Sequence, residues 1–331
     1  MKRAIGGISL VLAVLALAGF IAGQVQKTSQ TAQLNPATGA PPPSNPLKVA
    51  LLKWYTANTV PTTFPVGDQP EGVAFDGENI WVANNGANSV SKLRANDGAL
   101  LGTFKVGFAP LGVVFDGANV WVTNEGDADI TKLRASDGTV RGTFSVGVQP
   151  EFPAFDGTNI WVPNFVDGTV TILRASDGKK MGTISTGGAF AAAFDGTYMW
   201  VTGTAGNTVT RFRPDGSNAG SFPVGYVSEG VVYDGSSIWV ANYESGTITK
   251  LRESDGKLLG NFNVTVAPSL LAFDGQSIWV SSPDQGVVVR LRPSDGAQLD
   301  YFGARVSPAG IAFDGANIWV AATGSNIVYK F

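Results

Sequence analysis

The tripeptide Phe75-Asp76-Gly77 returns at 115–117, 155–157, 194–196, 233–235 (Tyr233 replacing Phe), 273–275 and 313–315, always 39 or 40 residues on. A tryptophan follows each copy by six positions: Trp81, Trp121, Trp161, Trp200, Trp239, Trp279 and Trp319. A second Asp-Gly pair recurs at 97–98, 137–138, 177–178, 215–216, 255–256 and 295–296. Self-similarity at this period means units that cannot bury their faces alone and must stack. In the first unit, Gly72–Phe75, Asn79–Ala83, Ser89–Arg94 and Leu101–Val106 read as four short strands, here lettered a to d, separated by Asp-Gly turns or by Gly/Asn/Pro loops. Ile80, Trp81 and Val82 are consecutive and apolar, the pattern of a strand covered on both faces. Four-stranded units of forty residues predict an all-β, seven-bladed β-propeller.

The ends of the repeat support closure. The last copy stops at Phe331 inside strand c, and Pro61-Thr62-Thr63-Phe64-Pro65-Val66-Gly67 matches the strand-d sequence Leu101-Gly102-Thr103-Phe104-Lys105-Val106-Gly107. The N-terminal strand is therefore expected to pair with 326–331 and complete the seventh blade, hiding two sheet edges. A β-helix or open array would not need one strand displaced from the end of the chain to its beginning.

Ahead of the repeat, Met1-Lys2-Arg3 and an apolar run from Ile8 to Ala22 read as a secretory signal peptide over 1–23. A polar, Pro-rich linker follows over 24–57, and the propeller over 58–331. The protein is expected to be exported, periplasmic or at the cell surface, monomeric, and attached to a membrane only through an uncleaved signal segment. The chain has no Cys and no His, which removes disulfides, thiolate nucleophiles, Ser-His-Asp triads and His/Cys zinc sites. A net charge of −3 argues against nucleic acid as a partner.

Trp121-Val122-Thr123-Asn124 resembles the Tyr-Val-Thr-Asn signature of YVTN-type propellers, with looser copies at Trp81–Asn84, Trp161–Asn164 and Trp239–Asn242. Pro70–Gly77 is similar to the same family and its NHL-like relatives. The resemblance covers about 60–331 and implies exported seven-bladed propellers, among them binding proteins, scaffolds and a few lyases. Streptogramin lyases, similar propellers, use a His with a Mg²⁺-binding carboxylate, a mechanism that a chain without His does not carry over. Lactone-hydrolysing propellers with a channel metal held by Glu, Asn and Asp are usually six-bladed.

Positions equal in every blade are scaffold, and positions that differ can encode a site. The seven Trp are expected in inter-blade core. The Lys-Leu-Arg runs at 92–94, 132–134 and 250–252 are expected on a solvated outer rim. Half of the 26 acidic residues sit in the two turn families. Asp68, Glu71, Glu125, Asp127, Asp129, Glu151, Asp167, Glu229, Glu244 and Asp284 fall in the d–a and b–c connections, which a propeller opens on one face; Arg305 is the basic residue there. Glu71, Glu151 and Glu229 occupy the start of strand a in blades one, three and five. Asn84, Asn124, Asn164 and Asn242 end strand b on the same side. Carboxylates with amide oxygens around a channel would suit Ca²⁺ or another divalent cation, although no cofactor is required. The asparagines equally read as strand ends and the glutamates as channel acids in water. Phe152, Phe190, Tyr226 and Tyr243 lie in the same connections, so the face suits a protein, peptide or carbohydrate. The main expectation is a binding module without catalysis. The alternative is a metal-assisted lyase or lactonase-like hydrolase at the channel mouth.

Overall fold

The computed structural model describes residues 62–264, 266–303 and 307–331. The signal and linker segments and Arg305 lie outside them. Among the described residues there are seven antiparallel four-stranded sheets. In blade one the strands are Pro70–Phe75, Asn79–Asn84, Ser89–Arg94 and Leu100–Lys105, in registers Phe75↔Ile80, Trp81↔Lys92 and Ser91↔Thr103. The seventh sheet is closed by Thr62–Pro65 against Ile327–Lys330, with Thr62↔Lys330 and Pro65↔Ile327.

Each Phe-Asp-Gly turn does two jobs. Gly77 takes φ +97°, which a side chain would resist. Asp76 Oδ1 accepts the backbone N–H groups of Glu78 (2.9 Å) and Asn79 (2.6 Å), while its Oδ2 accepts the Trp81 indole N–H at 2.7 Å. The indole bond recurs in all seven blades at 2.6–2.8 Å. It satisfies the polar edge of a ring otherwise sealed between blades; Trp81, Trp121 and Trp161 have no exposed surface. Strand-d phenylalanines stack on these rings, Phe104 on Trp81 at 5.7 Å and Phe144 on Trp121 at 5.4 Å. Phe64 of the N-terminal strand stacks on Trp319 at 5.4 Å, so closure repeats the same packing.

The Lys-Leu-Arg expectation is corrected. Lys92 and Lys132 are buried, not solvated. Each lies over its own blade's tryptophan, at 5.2 and 4.9 Å from the ring, and donates to carbonyls of the next blade: Lys92 Nζ to Ala135 at 2.7 Å, Lys132 Nζ to Ala175 at 2.6 Å. Lys330 closes the circuit on Ala95 and Asn96. In blade three the equivalent residue is Ile172, and Phe212 of blade four packs against Trp161 instead. The arginines of the runs do behave as rim residues, pairing with the acid three positions on, as Arg134 does with Asp137.

The innermost strands approach so closely that a methyl group on Gly72 would lie 2.2 Å from the Leu111 carbonyl, and one on Gly310 2.2 Å from that of Glu71. Glycine here sets the channel width.

Replacing Lys132 by Ala should therefore cost about 2 kcal/mol, because it leaves carbonyls short of a donor and removes a cation from an aromatic face. Arg134→Ala should stay within about 0.5 kcal/mol. Paired urea titrations measure both; equal losses would contradict the inter-blade role.

Candidate functional site

Blade three breaks the pattern. Where blades one and two carry Gly-Val at the start of the inner strand, it carries Phe152-Pro153. Pro153 has no N–H to offer a ladder, and regular strand a shrinks to Ala154–Phe155. Phe152 pairs instead with blade four: its N–H donates to Phe190 O at 3.1 Å, and Ala192 N–H donates to Phe152 O at 3.2 Å. It stands where blades one, two, five and seven have Gly72, Gly112, Gly230 and Gly310, and it lines the central cavity. Phe152 and Phe190 stack at 5.5 Å and pack on apolar side chains of blades four to seven. Phe165 meets Phe190 edge-on at 6.4 Å and is 38 % exposed. Beneath them lies a cavity of about 170 Å³, walled by inner-strand residues of all seven blades, including Gly72, Val113, Phe152 and Gly310.

Glu151 precedes this plug. It is 6 % exposed, and its carboxyl has no hydrogen-bond partner among the described residues. Its backbone is held on both sides: Glu151 N–H donates to Pro163 O, and Thr123 Oγ1 donates to Glu151 O at 2.9 Å. Burial pushes the carboxyl up to about 8, helped by the negative charges of Glu125, Glu229 and Glu71. The three predicted glutamates thus face one another electrically. Glu71 is raised to about 7 by burial, with the Thr323 hydroxyl opposing and Glu125 adding to the rise. Glu229 is raised to about 7 by burial, opposed by the Ser269 hydroxyl, which donates to it at 2.6 Å, and assisted by Asp284.

The other predicted residues divide. Tyr243 belongs to this region through its hydroxyl, which donates to Asp284 and is pushed up to about 12. Tyr226 is 66 % exposed on its loop, with no contact to the glutamates among the described residues. The four asparagines are not available to a ligand. Asn84 is fully buried; its Oδ1 accepts Gly67 N–H at 3.0 Å and its Nδ2 donates to Ser89 and Ser91. Asn124, Asn164 and Asn242 repeat the arrangement with Gly107, Gly147 and Gly225. They tie the d–a connection to strand b. The amide oxygens of the expected cation site are thus engaged within the scaffold. Among the described residues no three acidic side chains converge to hold a metal. The residues do not fit the expected Ca²⁺ cage, and no step below is routed through a metal. Thr323 and Ser269, the hydroxyls that set apart Glu71 and Glu229 from Glu151, carry no signal of their own in the sequence. Pro153 does, since the other blades carry Val, Ile, Leu or Ala at that position.

No protein-family description matches the chain, and no curated protein matches it. Solved structures do. A catalytically inactive His-to-Ala variant of virginiamycin B lyase from Staphylococcus aureus, with quinupristin, is 17 % identical, with a TM-score of 0.71 over 82 % of this chain and 98 % of that one. A streptogramin B lyase is 16 % identical, TM-score 0.72, over 82 % and 96 %. Kuenenia stuttgartiensis hydrazine synthase is 17 % identical, TM-score 0.70, over 80 % and 95 %. At this identity the likeness shows the fold. Because lyases and a synthase carry this same fold, it gives no support to the expectation of a non-catalytic module.

The folded protein keeps the Glu151 proton to about pH 8, whereas an ordinary glutamate releases it near 4.5. The folded state thus binds more protons across that window, and stability falls as pH rises through it. Glu71 and Glu229 act in the same direction. Glu151→Gln should match the parent in Tm at pH 4 and exceed it at pH 8 by roughly 4 °C, corresponding to about 2 kcal/mol. Thermal scans at the two pH values read this out; a constant offset would place Glu151 in an ordinary solvated setting.

Proposed function

We propose that this protein is a propeller enzyme of the lyase or lactone-hydrolase kind, doing acid–base chemistry at the channel mouth. The observation that carries the reading is Glu151, a residue 6 % exposed whose carboxyl has no hydrogen-bond partner among the described residues. The likeness to lyases supports it by fold. The His lost in the inactive virginiamycin lyase variant has no counterpart in a chain without histidine, so the proton work falls to carboxyls.

The glutamates differ in the direction that such work needs. Glu229 receives a hydrogen bond from Ser269, which favours its charged form, and Glu151 receives none. Near neutral pH, Glu229 gives up its proton first and serves as base, while Glu151 holds its proton and serves as acid. In elimination the base takes a proton from the carbon adjacent to the one bearing the ester oxygen, a C=C bond forms and the C–O bond breaks; in hydrolysis it takes a proton from a water that attacks the carbonyl carbon, and the acyl C–O bond breaks. In both, the acid's proton goes to the departing oxygen. Phe152 and Phe190 exclude water on one side and leave the acid little solvent to compete with the substrate.

Export through 1–23, and kinship with YVTN-type repeats through Trp121–Asn124, belong to the same reading. Both rest on the sequence patterns.

A panel of lactones and cyclic esters, with products weighed by mass spectrometry, separates elimination from hydrolysis, since only hydrolysis adds water. Turnover should fall on the alkaline side near pH 8, where Glu151 ionises. Glu151→Gln should lower kcat by roughly 10²–10⁴-fold with little change in KM. A variant with parental turnover would refute the assignment.

A further inference from the structure

The channel mouth is chemically lopsided. Its aromatic side is built by blades three and four, where Phe152, Phe190 and Phe165 form a continuous set of ring contacts. On the side of blades one and two, Glu71 and Glu125 stand close enough that the charge of Glu125 raises the Glu71 carboxyl. Glu125 engages one oxygen, Oε1, with the Gln149 amide at 2.6 Å. Among the described residues, the d–a and b–c connections contain no Lys or Arg, so these acids have no counter-ion on their own face. Glu151, 6 % exposed and without a hydrogen-bond partner among the described residues, feels the charges of both of them as well as that of Glu229. A buried acid without a hydrogen-bond partner thus sits between other carboxylates on one side and, one residue on, an aromatic cluster on the other.

We infer that the substrate is an amphipathic cation, its protonated amine seated against Glu71 and Glu125 and its apolar body lying on Phe152, Phe190 and Phe165. This rests on the channel mouth being the catalytic site. An ammonium head brings three donors and no acceptor, which matches carboxylate oxygens that lack partners. It also gains from the faces of the phenyl rings at the margin of the seat. An anion finds no Lys or Arg there among the described residues. A neutral alcohol supplies one donor and leaves the carboxylate charges uncompensated. With the amine on blades one and two and the apolar body on blades three and four, the reacting bond of the substrate falls between Glu151 and Glu229.

The test uses three probes of one shape: 2-phenylethylammonium, 2-phenylethanol and 3-phenylpropionate. Each is titrated into the full chain at millimolar concentration, at pH 8 and low salt, and followed by calorimetry and thermal shift. The ammonium should bind at least roughly tenfold more tightly than the other two. Glu71→Gln should erase that preference, as should Glu125→Gln, which changes an exposed loop and keeps the fold. Phe190→Ala should weaken all three probes alike. Equal binding of the alcohol and the ammonium, or a preference that survives both Glu substitutions, would overturn the inference. Glu151-dependent turnover of neutral esters without amine preference would overturn it and leave the acid–base reading standing. Amine binding without turnover of any ester would do the reverse.

Discussion

Each blade depends on an indole N–H donated to the aspartate of the turn five residues earlier. A tryptophan can be sealed completely between two sheets only if that N–H has a partner, since an unpaired donor there would cost a large part of what burying the ring gains. Asp76 and its six counterparts provide the partner while using their other oxygen to fold the a–b turn. One carboxylate thus fixes the turn, the ring and the spacing between neighbouring blades. Because this work is done on the turn face and in the core, the opposite connections are free to differ from blade to blade.

That division explains what could be read from the sequence and what could not. The repeat, the buried tryptophans and the exchange of a strand between the two ends are periodic or matched segments, and they translate directly into sheets and closure. The lysines read as a solvated rim, and the asparagines as strand ends or as ligand donors. A polar residue in a sequence carries no mark of its partner, and these partners lie 17 residues away for Asn84 and Gly67, and 43 for Lys92 and Ala135. They become visible when the blades are placed side by side. Glu71, Glu151 and Glu229 were found because they depart from the repeat. What set Glu151 apart, a missing hydrogen bond and an irregular strand beside Pro153, needed the backbone.

The mouth also shows how a fold can change chemistry without changing architecture. The inactive lyase variant among the structural counterparts lacks a histidine, and this chain has none to lose. Burial gives it carboxyls that titrate where an imidazole would, around 7 and 8. Hydroxyl groups from neighbouring blades then separate one carboxyl from the next. The ring arrangement suits this tuning, because a threonine hydroxyl of the preceding blade holds the backbone carbonyl of the glutamate, Thr123 for Glu151 and Thr202 for Glu229.

The seam between the first and last strands has a consequence for the timing of assembly. The outermost strand of blade seven is the first of the fold to be synthesised, and its partner, ending at Lys330, is the last. Until that final segment emerges, the nascent chain can stack blades but presents two unpaired edges, and the lysine that reaches back to Ala95 does not yet exist. Ring closure therefore waits for the last strand of the fold and spans nearly the whole fold in sequence separation, the kind of contact that forms slowly. The half-assembled array is the species a cell would have to guard from edge-to-edge aggregation.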